Sequence, residues 1–210
     1  MTDPAPRNLR ADAERNRVAI IGAAAQVLAD EGTGVTLEHI AAVAGVGVGT
    51  IYRRFASIDH LVAVVFEEKM TDYARRSEAA AEAALTDPLG AFDDYVFYIL
   101  EQQATDIAFS DVILNPRRGT ELFREQMKRA LVASEILVER ARSAGVIRSD
   151  FDHSDLYMLI HANSGLVKGT KRSAPRAWRR FGEYMLEAFH REGQRLTPPS
   201  AVLTRARERK

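Results

Sequence analysis

Residues 40–55, with the sequence IAAVAGVGVGTIYRRF, decide the fold of the N-terminal part of the chain. Two short helices that meet steeply need a small residue where their backbones approach, a turn residue that tolerates positive φ, and apolar anchors on the second helix. Ala41 meets the first need, and Gly45, four residues later, meets the second. The anchors are Val46, Ile51 and Phe55. This spacing predicts a helix-turn-helix.

The second helix of this motif presents its remaining residues outward or at its leading end. These residues are Val48, Gly49, Thr50, Tyr52, Arg53 and Arg54. Small residues let a backbone come close, hydroxyl groups reach phosphates, and guanidinium groups bond to phosphates or base edges. The surface therefore suits the major groove of double-stranded DNA. The alternative is that the two arginines only solvate an exposed helix.

Helical periodicity dominates the rest of the chain and predicts an all-α fold of about nine helices. From Ala11 to Asp30 the residues Val18, Ile21, Ala25 and Leu28 form one apolar stripe. Thr36, Ser57 and Asp87 are expected N-caps of later helices. The next break is predicted at Asn115, Pro116 and Gly119, and helices are then expected at 120–143, 152–171 and 175–191.

Composition limits the class of protein. The 210 residues are 46% apolar and 28% charged, with no cysteine, and 29 basic side chains balance 29 acidic ones. This excludes disulfides and thiolate metal sites, and net charge gives no support to a nucleic-acid or membrane partner. The opening residues MTDPAPRNLR lack the apolar stretch of a signal peptide, so we expect a cytoplasmic protein without a membrane partner.

Residues 11–62, and TLEHIAAVAGVGVGTIYRRFASIDHLV (36–62) above all, resemble the DNA-binding domain of the TetR family of bacterial transcriptional regulators. The resemblance implies that Thr36, Thr50 and Tyr52 hold phosphates. It implies that Val48, Gly49 and Arg54 face base edges, while Arg53 takes either role. Many family members have serine at the position of Gly47 and lysine at that of Ile58, so this chain has a weaker N-cap and lacks one phosphate contact.

The resemblance also implies a ligand-responsive regulator: a homodimeric repressor released from a palindromic operator by a small apolar effector. The expected domains are a flexible arm (1–10), the helix-turn-helix domain (11–57), a helical effector-binding and dimerisation domain (58–194) and a disordered tail (195–210). The fourth helix, which joins the two domains, is expected to transmit effector binding.

An effector site is predicted within residues 62–170, because helical bundles enclose apolar cavities lined by aromatic and methionine side chains with a few polar groups. We expect at least two of six residues to line it. The six are Phe97, Tyr98, Gln102, Phe109, Met127 and His161. By default such residues form plain core, and the sequence does not separate lining from packing.

A dimer interface is predicted on the last two helices. Gly165 makes one side of the penultimate helix small, and the last helix carries an apolar stripe. The stripe consists of Trp178, Phe181, Met185 and Phe189. The alternative is that this stripe is buried within its own chain.

Two other function classes remain as alternatives. The first is a helical enzyme or metal bundle, since Glu187 and His190 have the Glu-x-x-His spacing of di-metal sites. No second pair accompanies them, and we predict no catalytic residues, no metal and no cofactor. The second is an architectural protein that binds DNA of any sequence. The glycines at 45, 47 and 49 lack the strand and the lysine of a nucleotide-binding loop.

Overall fold

Every regular element in the computed structural model is an α-helix. The structure describes residues 6–114 and 121–198. These two ranges hold nine helices: α1 (Pro6–Glu31), α2 (Leu37–Ala44), α3 (Val48–Arg54), α4 (Ile58–Ala83), α5 (Pro88–Thr105), α6 (Ile107–Leu114), α7 (Glu121–Ser143), α8 (His153–Thr170) and α9 (Ala177–His190). The predicted all-α class is confirmed. Within the same ranges, no helix is long and apolar enough to cross a membrane.

Helix α1 differs from its prediction in its start and in its buried face. It begins at Pro6 instead of Ala11, so residues 6–10 of the predicted arm are helical. Val18 is 61% exposed, whereas Ile20, Ala24 and Val27 are buried. Of the predicted stripe, Leu28 is completely buried and Ile21 packs against the core, whereas Val18 and Ala25 are exposed. Apolar residues occupy adjacent positions in this helix, and period alone does not choose between them.

The predicted caps hold the starts of the next helices. Thr36, Ser57 and Asp87 each accept a hydrogen bond in their side chain from a backbone N–H in the first turn of α2, α4 and α5. Asp152 forms a capping box at the start of α8. These side chains satisfy N–H groups that a helix leaves unpaired at its start, which explains why the helices begin at these residues.

Helix α5 lies at the centre of the second half of the chain. It packs against α4, α6, α7, α8 and α9. Phe92, Val96 and Leu100 on α5 are completely buried. The N-terminal α1 contacts α4 and α6, and α4 lies along α7, so the first three helices rest on one end of this bundle.

A break at Asp106, which sequence analysis missed, separates α5 from α6. The backbone N–H of Asp106 bonds to Gln102 O, and its carboxylate accepts a hydrogen bond from the backbone N–H of Phe109. Asp106 therefore ends one helix and caps the next. Three predictions concern residues that the structure does not describe: the break at 115–119, residues 1–5 of the arm and residues 199–210 of the tail. Residues 195–198 are described and are not helical.

Candidate nucleic-acid interface and internal cavity

The turn between α2 and α3 has the geometry that its sequence predicts. Gly45 has φ of 67° and ends α2 in the left-handed conformation. The backbone N–H of Val46 then bonds to Ala41 O over 3.0 Å. Ala41 and Ile51 are completely buried, and Phe55 is 3% exposed. The small residue, the turn residue and the anchors are thus confirmed in their places.

The outer face of α3 carries the predicted DNA-contacting residues. Val48 is 47% exposed and Tyr52 49%; Gly49, Arg53 and Arg54 are also exposed, and Thr50 is half-buried. Gly47 caps α3 without a side-chain hydrogen bond, as its lack of a side chain requires. At the start of α2, Oγ1 of Thr36 accepts from the backbone N–H of His39, and the Thr36 hydroxyl group also hydrogen-bonds to the carboxylate of Glu38.

Tyr52 already has a hydrogen-bond partner within the chain. Its hydroxyl group donates to Oε1 of Glu38 over 2.5 Å. This hydrogen bond lowers the pKa of Glu38 and raises the pKa of Tyr52. A carboxylate thus stands beside a side chain that is expected to hold a phosphate. Sequence analysis missed Glu38, whose only signal is its place in the first turn of α2.

Arg54 also makes a contact within the chain. One Nη of its guanidinium group donates to Ala13 O on α1 over 2.8 Å. A guanidinium group has five N–H donors, so this bond leaves four of them for other partners. Arg53 points elsewhere and donates to Oγ1 of Thr50 over 3.3 Å. The two adjacent arginines are therefore not equivalent: Arg54 ties the end of α3 to α1.

An internal cavity lies among α4, α5, α6, α7 and α8, within the predicted residues 62–170. Its volume is about 30 Å³, which is room for about two water molecules. The described residues that line it are Tyr73, Tyr95, Ile99, Ile113, Met127, Leu131, Ser134, His153, Leu156, Tyr157 and Ile160. Of the six predicted lining residues, only Met127 is among those of this cavity.

The three aromatic residues of that prediction pack elsewhere. Phe97 lies against α9, where the guanidinium carbon of Arg179 stands 5.6 Å from its ring centroid. Tyr98 stacks beside Tyr73 with 6.4 Å between ring centroids. Phe109 is completely buried. Aromatic content alone does not show which side of a buried helix faces a cavity.

The two polar residues of the prediction also lie outside the cavity lining. His161 is exposed on α8, and His153, about two turns earlier at the start of the same helix, lines the cavity instead. Gln102 is half-buried, whereas its neighbour Gln103 is completely buried and donates to Ser110 Oγ over 2.7 Å. In both cases the helix phase differs from the one assumed.

The residues predicted to form a dimer interface on α8 and α9 differ in their exposure. Gly165 is exposed on α8, and a Cβ atom there would meet nothing within 4 Å. Trp178, Phe181 and Met185 are partly buried against the core. Phe189 is 8% exposed, and its ring centroid lies 4.9 Å from that of Phe151. Its assignment to a dimer interface is therefore wrong. Its place near the end of α9, over α5, buries it within its own chain.

Both ring nitrogens of His190, considered above as a metal ligand, lie within hydrogen-bonding distance of oxygen atoms of the chain. Nδ1 lies 2.7 Å from Val146 O, and Nε2 lies 2.9 Å from Oδ1 of Asp93. Burial raises the pKa of Asp93, while the nearby His190 acts in the opposite direction. Among residues 6–114 and 121–198, no group of three or more potential ligands could hold a metal ion. The histidine thus connects α9 to α5 and to the segment before α8.

Helix α6 connects the cavity to the N-terminal helices. Ile113 lines the cavity. On the same helix, Oδ2 of Asp111 accepts hydrogen bonds from the backbone N–H of Thr33 over 3.0 Å and from its Oγ1 over 3.2 Å. Oδ1 of Asp111 accepts from Nζ of Lys168 on α8 over 2.9 Å. Asp111 thus joins the turn between α1 and α2 to the helical bundle.

Known proteins share both the motif and the fold. Residues 20–65 match the family model described as bacterial regulatory proteins, tetR family. The structure of the fatty acid degradation regulator FadR from Bacillus halodurans is similar, with 25% identity and a TM-score of 0.52, over 81% of this chain and 97% of that one. FadR from Bacillus subtilis, solved in complex with stearoyl-CoA, has 21% identity and a TM-score of 0.54, over 83% and 100%. No curated protein sequence matches.

The matched segment contains the complete helix-turn-helix, and the similar structures extend over the helical bundle that follows it. The N-terminal helices, the exposed face of α3 and the nine-helix order agree with this match. The chain therefore has at its N-terminus a DNA-binding domain like that of tetR-family regulatory proteins, and its fold is similar to that of a known transcriptional regulator.

Proposed function

We propose that the chain is a repressor that binds a palindromic operator as a homodimer and is released by a small-molecule effector. The observation that carries this proposal is the connection of an internal cavity to a complete helix-turn-helix through a single short helix, α6. Because its proposed partner is DNA, we place the protein in the cytoplasm. The boundaries that we propose are 11–57 for DNA binding and 58–194 for effector binding and dimerisation.

The DNA contacts follow from the exposed face of α3. In this proposal Thr36, Thr50 and Tyr52 bind phosphates, while Val48 and Gly49 approach base edges. Arg54 reads a base with the N–H groups that its bond to Ala13 leaves over, and Arg53 contacts either a base or a phosphate. Contacts to phosphates fix the position of the domain on DNA, and contacts to base edges supply the sequence preference.

The homodimer is proposed to form through α8 and α9. Gly165 is exposed on α8, and Tyr184 on α9 is 62% exposed. Phe181 and Met185 are only partly buried by their own chain. A small residue on one helix and apolar groups on the next are what close packing of a four-helix interface requires. A two-fold dimer would place two recognition helices on half-sites about 34–36 Å apart.

Effector control in this proposal requires the cavity to open. At about 30 Å³ it is much smaller than the roughly 300 Å³ or more of a usual ligand pocket. A ligand would therefore have to move the surrounding helices apart to enter. Both α4, which continues from the DNA-binding domain, and α6, which contacts α1, border the cavity. Binding would thus favour another placement of the two recognition helices.

The size of the effect sets a requirement on effector affinity. A hundredfold loss of operator affinity needs about 2.7 kcal/mol of difference in effector binding between the two states. No catalytic step is part of the proposal, since the matched family consists of regulatory proteins.

Selection of bound sequences from a random DNA pool tests the DNA-binding part of the proposal. We expect a palindromic consensus, bound by fluorescence anisotropy at least about a thousandfold more tightly than a scrambled sequence. Sedimentation of the complex should give two chains per duplex. Equal affinity for both sequences would refute the proposal and favour an architectural DNA-binding protein.

A further inference from the structure

A basic turn, residues 168–180, links the end of α8 to the start of α9. It holds six basic residues and no acidic one, although the chain as a whole is neutral. The six are Lys168, Lys171, Arg172, Arg176, Arg179 and Arg180. The helix-turn-helix domain, residues 11–57, has only four basic residues against five acidic ones. The largest concentration of positive charge in the sequence thus lies outside the domain that is proposed to read the bases.

Two lysines hold the basic turn against the DNA-binding domain. Nζ of Lys171 lies 3.0 Å from Oδ1 of Asp30, in the last turn of α1. Nζ of Lys168 lies 2.9 Å from Oδ1 of Asp111, and Asp111 also accepts hydrogen bonds from Thr33, in the turn between α1 and α2. The basic turn therefore lies at the end of the helical bundle that carries the DNA-binding domain.

Arg172 and Arg176 are the members of the basic turn that are available to another molecule. Both are exposed, and within residues 6–114 and 121–198 neither side chain has an ion-pair or hydrogen-bond partner. Arg179 and Arg180, in contrast, contact Glu183 and Tyr184 on their own helix. Each guanidinium group offers five N–H donors in a planar arrangement that suits a phosphate group.

The stability of α9 does not explain why Arg176 is at this position. Arg176 is the N-cap residue of α9 and makes no capping hydrogen bond with its side chain. Serine, threonine, aspartate and asparagine are the residues that cap a helix well. The N-terminus of a helix carries partial positive charge and favours acidic residues, yet the first turn of α9 has none. A choice of residue that opposes helix stability points to a role in binding instead.

The proposed dimer would bring two copies of the basic turn together over the DNA. The turn connects α8 and α9, the helices of the proposed interface, at their end nearest the DNA-binding domain. When a two-fold dimer binds a palindrome, the symmetry axes of the protein and of the operator coincide. The basic turns of both subunits would therefore lie beside this axis, over the base pairs between the two half-sites. There the minor groove and its flanking phosphates face the protein, since the half-sites are major grooves one helical turn apart.

We propose that Arg172 and Arg176 of both subunits bind DNA phosphates at the centre of the operator, between the half-sites that α3 contacts. The proposal rests on the proposed function and adds a second contact to it, which depends on phosphate charge and not on base sequence. Hydrogen bonds between a guanidinium group and a phosphate are charge-assisted and frequently bidentate. They supply electrostatic affinity that a helix-turn-helix domain with more acidic than basic residues lacks.

Removal of both arginines tests the proposal in the full-length protein. Arg172→Gln combined with Arg176→Gln removes four guanidinium groups from each dimer. Each phosphate contact adds about 0.9 to the slope of log affinity against log salt, so the slope should become shallower by about 3 to 4. Fluorescence anisotropy should show operator affinity about tenfold lower at 200 mM salt, and about a hundredfold further reduced relative to wild type at 50 mM.

A matched control removes the same charge from another surface. Arg191 and Arg195 are exposed and follow the opposite end of α9. Arg191→Gln combined with Arg195→Gln should leave operator affinity within about twofold of wild type, since salt screens charges that lie more than about 8 Å apart. A loss equal to that of the first variant would show that overall charge is responsible, and would overturn the proposal.

A change in the DNA alone provides a second measurement, which does not depend on how the substitutions affect the protein. Uncharged methylphosphonate linkages at the central phosphates of both strands should weaken binding of the wild-type protein about tenfold or more at 200 mM salt. The same linkages should have little effect on the Arg172→Gln, Arg176→Gln variant, because its central contact is already lost. Equal losses for the two proteins, or no loss for wild type, would overturn the proposal.

Binding of the wild-type protein to unmodified operator separates this proposal from the proposed function. Specific binding by two chains, with no effect of the arginine substitutions or of the central linkages, would refute the central contact alone and favour an acidic protein as the partner of the basic turn. Absence of specific binding to any palindrome would refute both.

Discussion

Asp111 and Ile113 lie two residues apart on α6 and contact different parts of the protein. Ile113 lines the internal cavity, whereas Asp111 accepts two hydrogen bonds from Thr33, in the turn that leads into the helix-turn-helix. Burial acts to raise the pKa of Asp111, but the hydrogen bonds from Lys168 and Thr33 outweigh it and the pKa is lowered. The carboxylate is therefore held ionised between the two halves of the chain.

Filling the cavity with a larger side chain should imitate an effector. Leu131→Phe adds volume at the cavity lining, and we expect it to weaken operator affinity about tenfold by displacing α6 and α4. Val132→Phe on the neighbouring, exposed position is the control and should have no effect. In an Asp111→Ala background most of the loss caused by Leu131→Phe should disappear, as measured by anisotropy. A full loss in that background would contradict a role for Asp111 in transmission.

Removing the charge of Glu38 should strengthen DNA binding. Glu38→Gln leaves an acceptor for Tyr52 but removes a negative charge from the expected phosphate surface. We expect operator and random DNA to bind about fivefold more tightly at low salt, with a smaller gain at high salt. Tyr52→Phe should weaken both by a similar factor. A gain on the operator alone would mean that Glu38 acts on base recognition instead.

Arg54 should supply sequence preference. Arg54→Ala is expected to reduce discrimination at one base pair by about 1–3 kcal/mol if the contact is bidentate. Binding measured on a set of operators with single base changes would identify that pair. Because Arg54 also bonds to Ala13, thermal unfolding must be followed in parallel. Equal losses on operator and random DNA, with unchanged stability, would show that Arg54 is a phosphate contact.

Two substitutions on α9 should have opposite consequences. Tyr184 is 62% exposed, so Tyr184→Asp should produce folded monomers. Phe189 lies in the core. Phe189→Asp should lower the free energy of unfolding by about 3 kcal/mol or more, because it buries an unpaired charge. Sedimentation velocity and thermal unfolding distinguish the two results. A dimer that survives Tyr184→Asp would argue against an interface on this face.

High pH should destabilise the protein partly through Tyr98. Burial is the main cause that raises the pKa of Tyr98 to about 12. The folded state therefore favours the neutral phenol, so its contribution to stability is complete below the ordinary pKa of 10 and is lost as pH rises toward 12. Denaturation midpoints should fall between pH 9.5 and about 11.5, and fall less for Tyr98→Phe. Parallel curves for both proteins would contradict this shift.

The helix-turn-helix could be predicted because it depends on local spacing. Ala41, Gly45 and Ile51 meet within fifteen residues, and each has a backbone or packing role that only a few residue types fill. The cap residues are local in the same sense. No comparable signal identifies Glu38 as the partner of Tyr52, because that pairing depends on how closely two helices cross.

The cavity and the interface could not be predicted residue by residue. Tyr95 and Phe97 are both aromatic and stand on the same helix, yet one lines the cavity and the other packs on α9. The stripe of α9 was correctly identified as apolar, but its period does not say whether the chain itself covers it. Phe189 is covered by Phe151, which is 38 residues earlier in the chain. Such choices are made by tertiary packing.

The close contact at Gly182 fixes α9 against α5. A Cβ atom there would lie 2.7 Å from Cδ1 of Leu100 and 3.0 Å from Cε1 of Phe97, so α9 rests directly on α5. At the other end of α9, the side chain of His190 hydrogen-bonds to Asp93 on α5. In the proposed dimer, α5 would then move together with the interface helices as one rigid unit. The two DNA-binding domains, which are joined to this unit through α4 and α6, would change their positions relative to it.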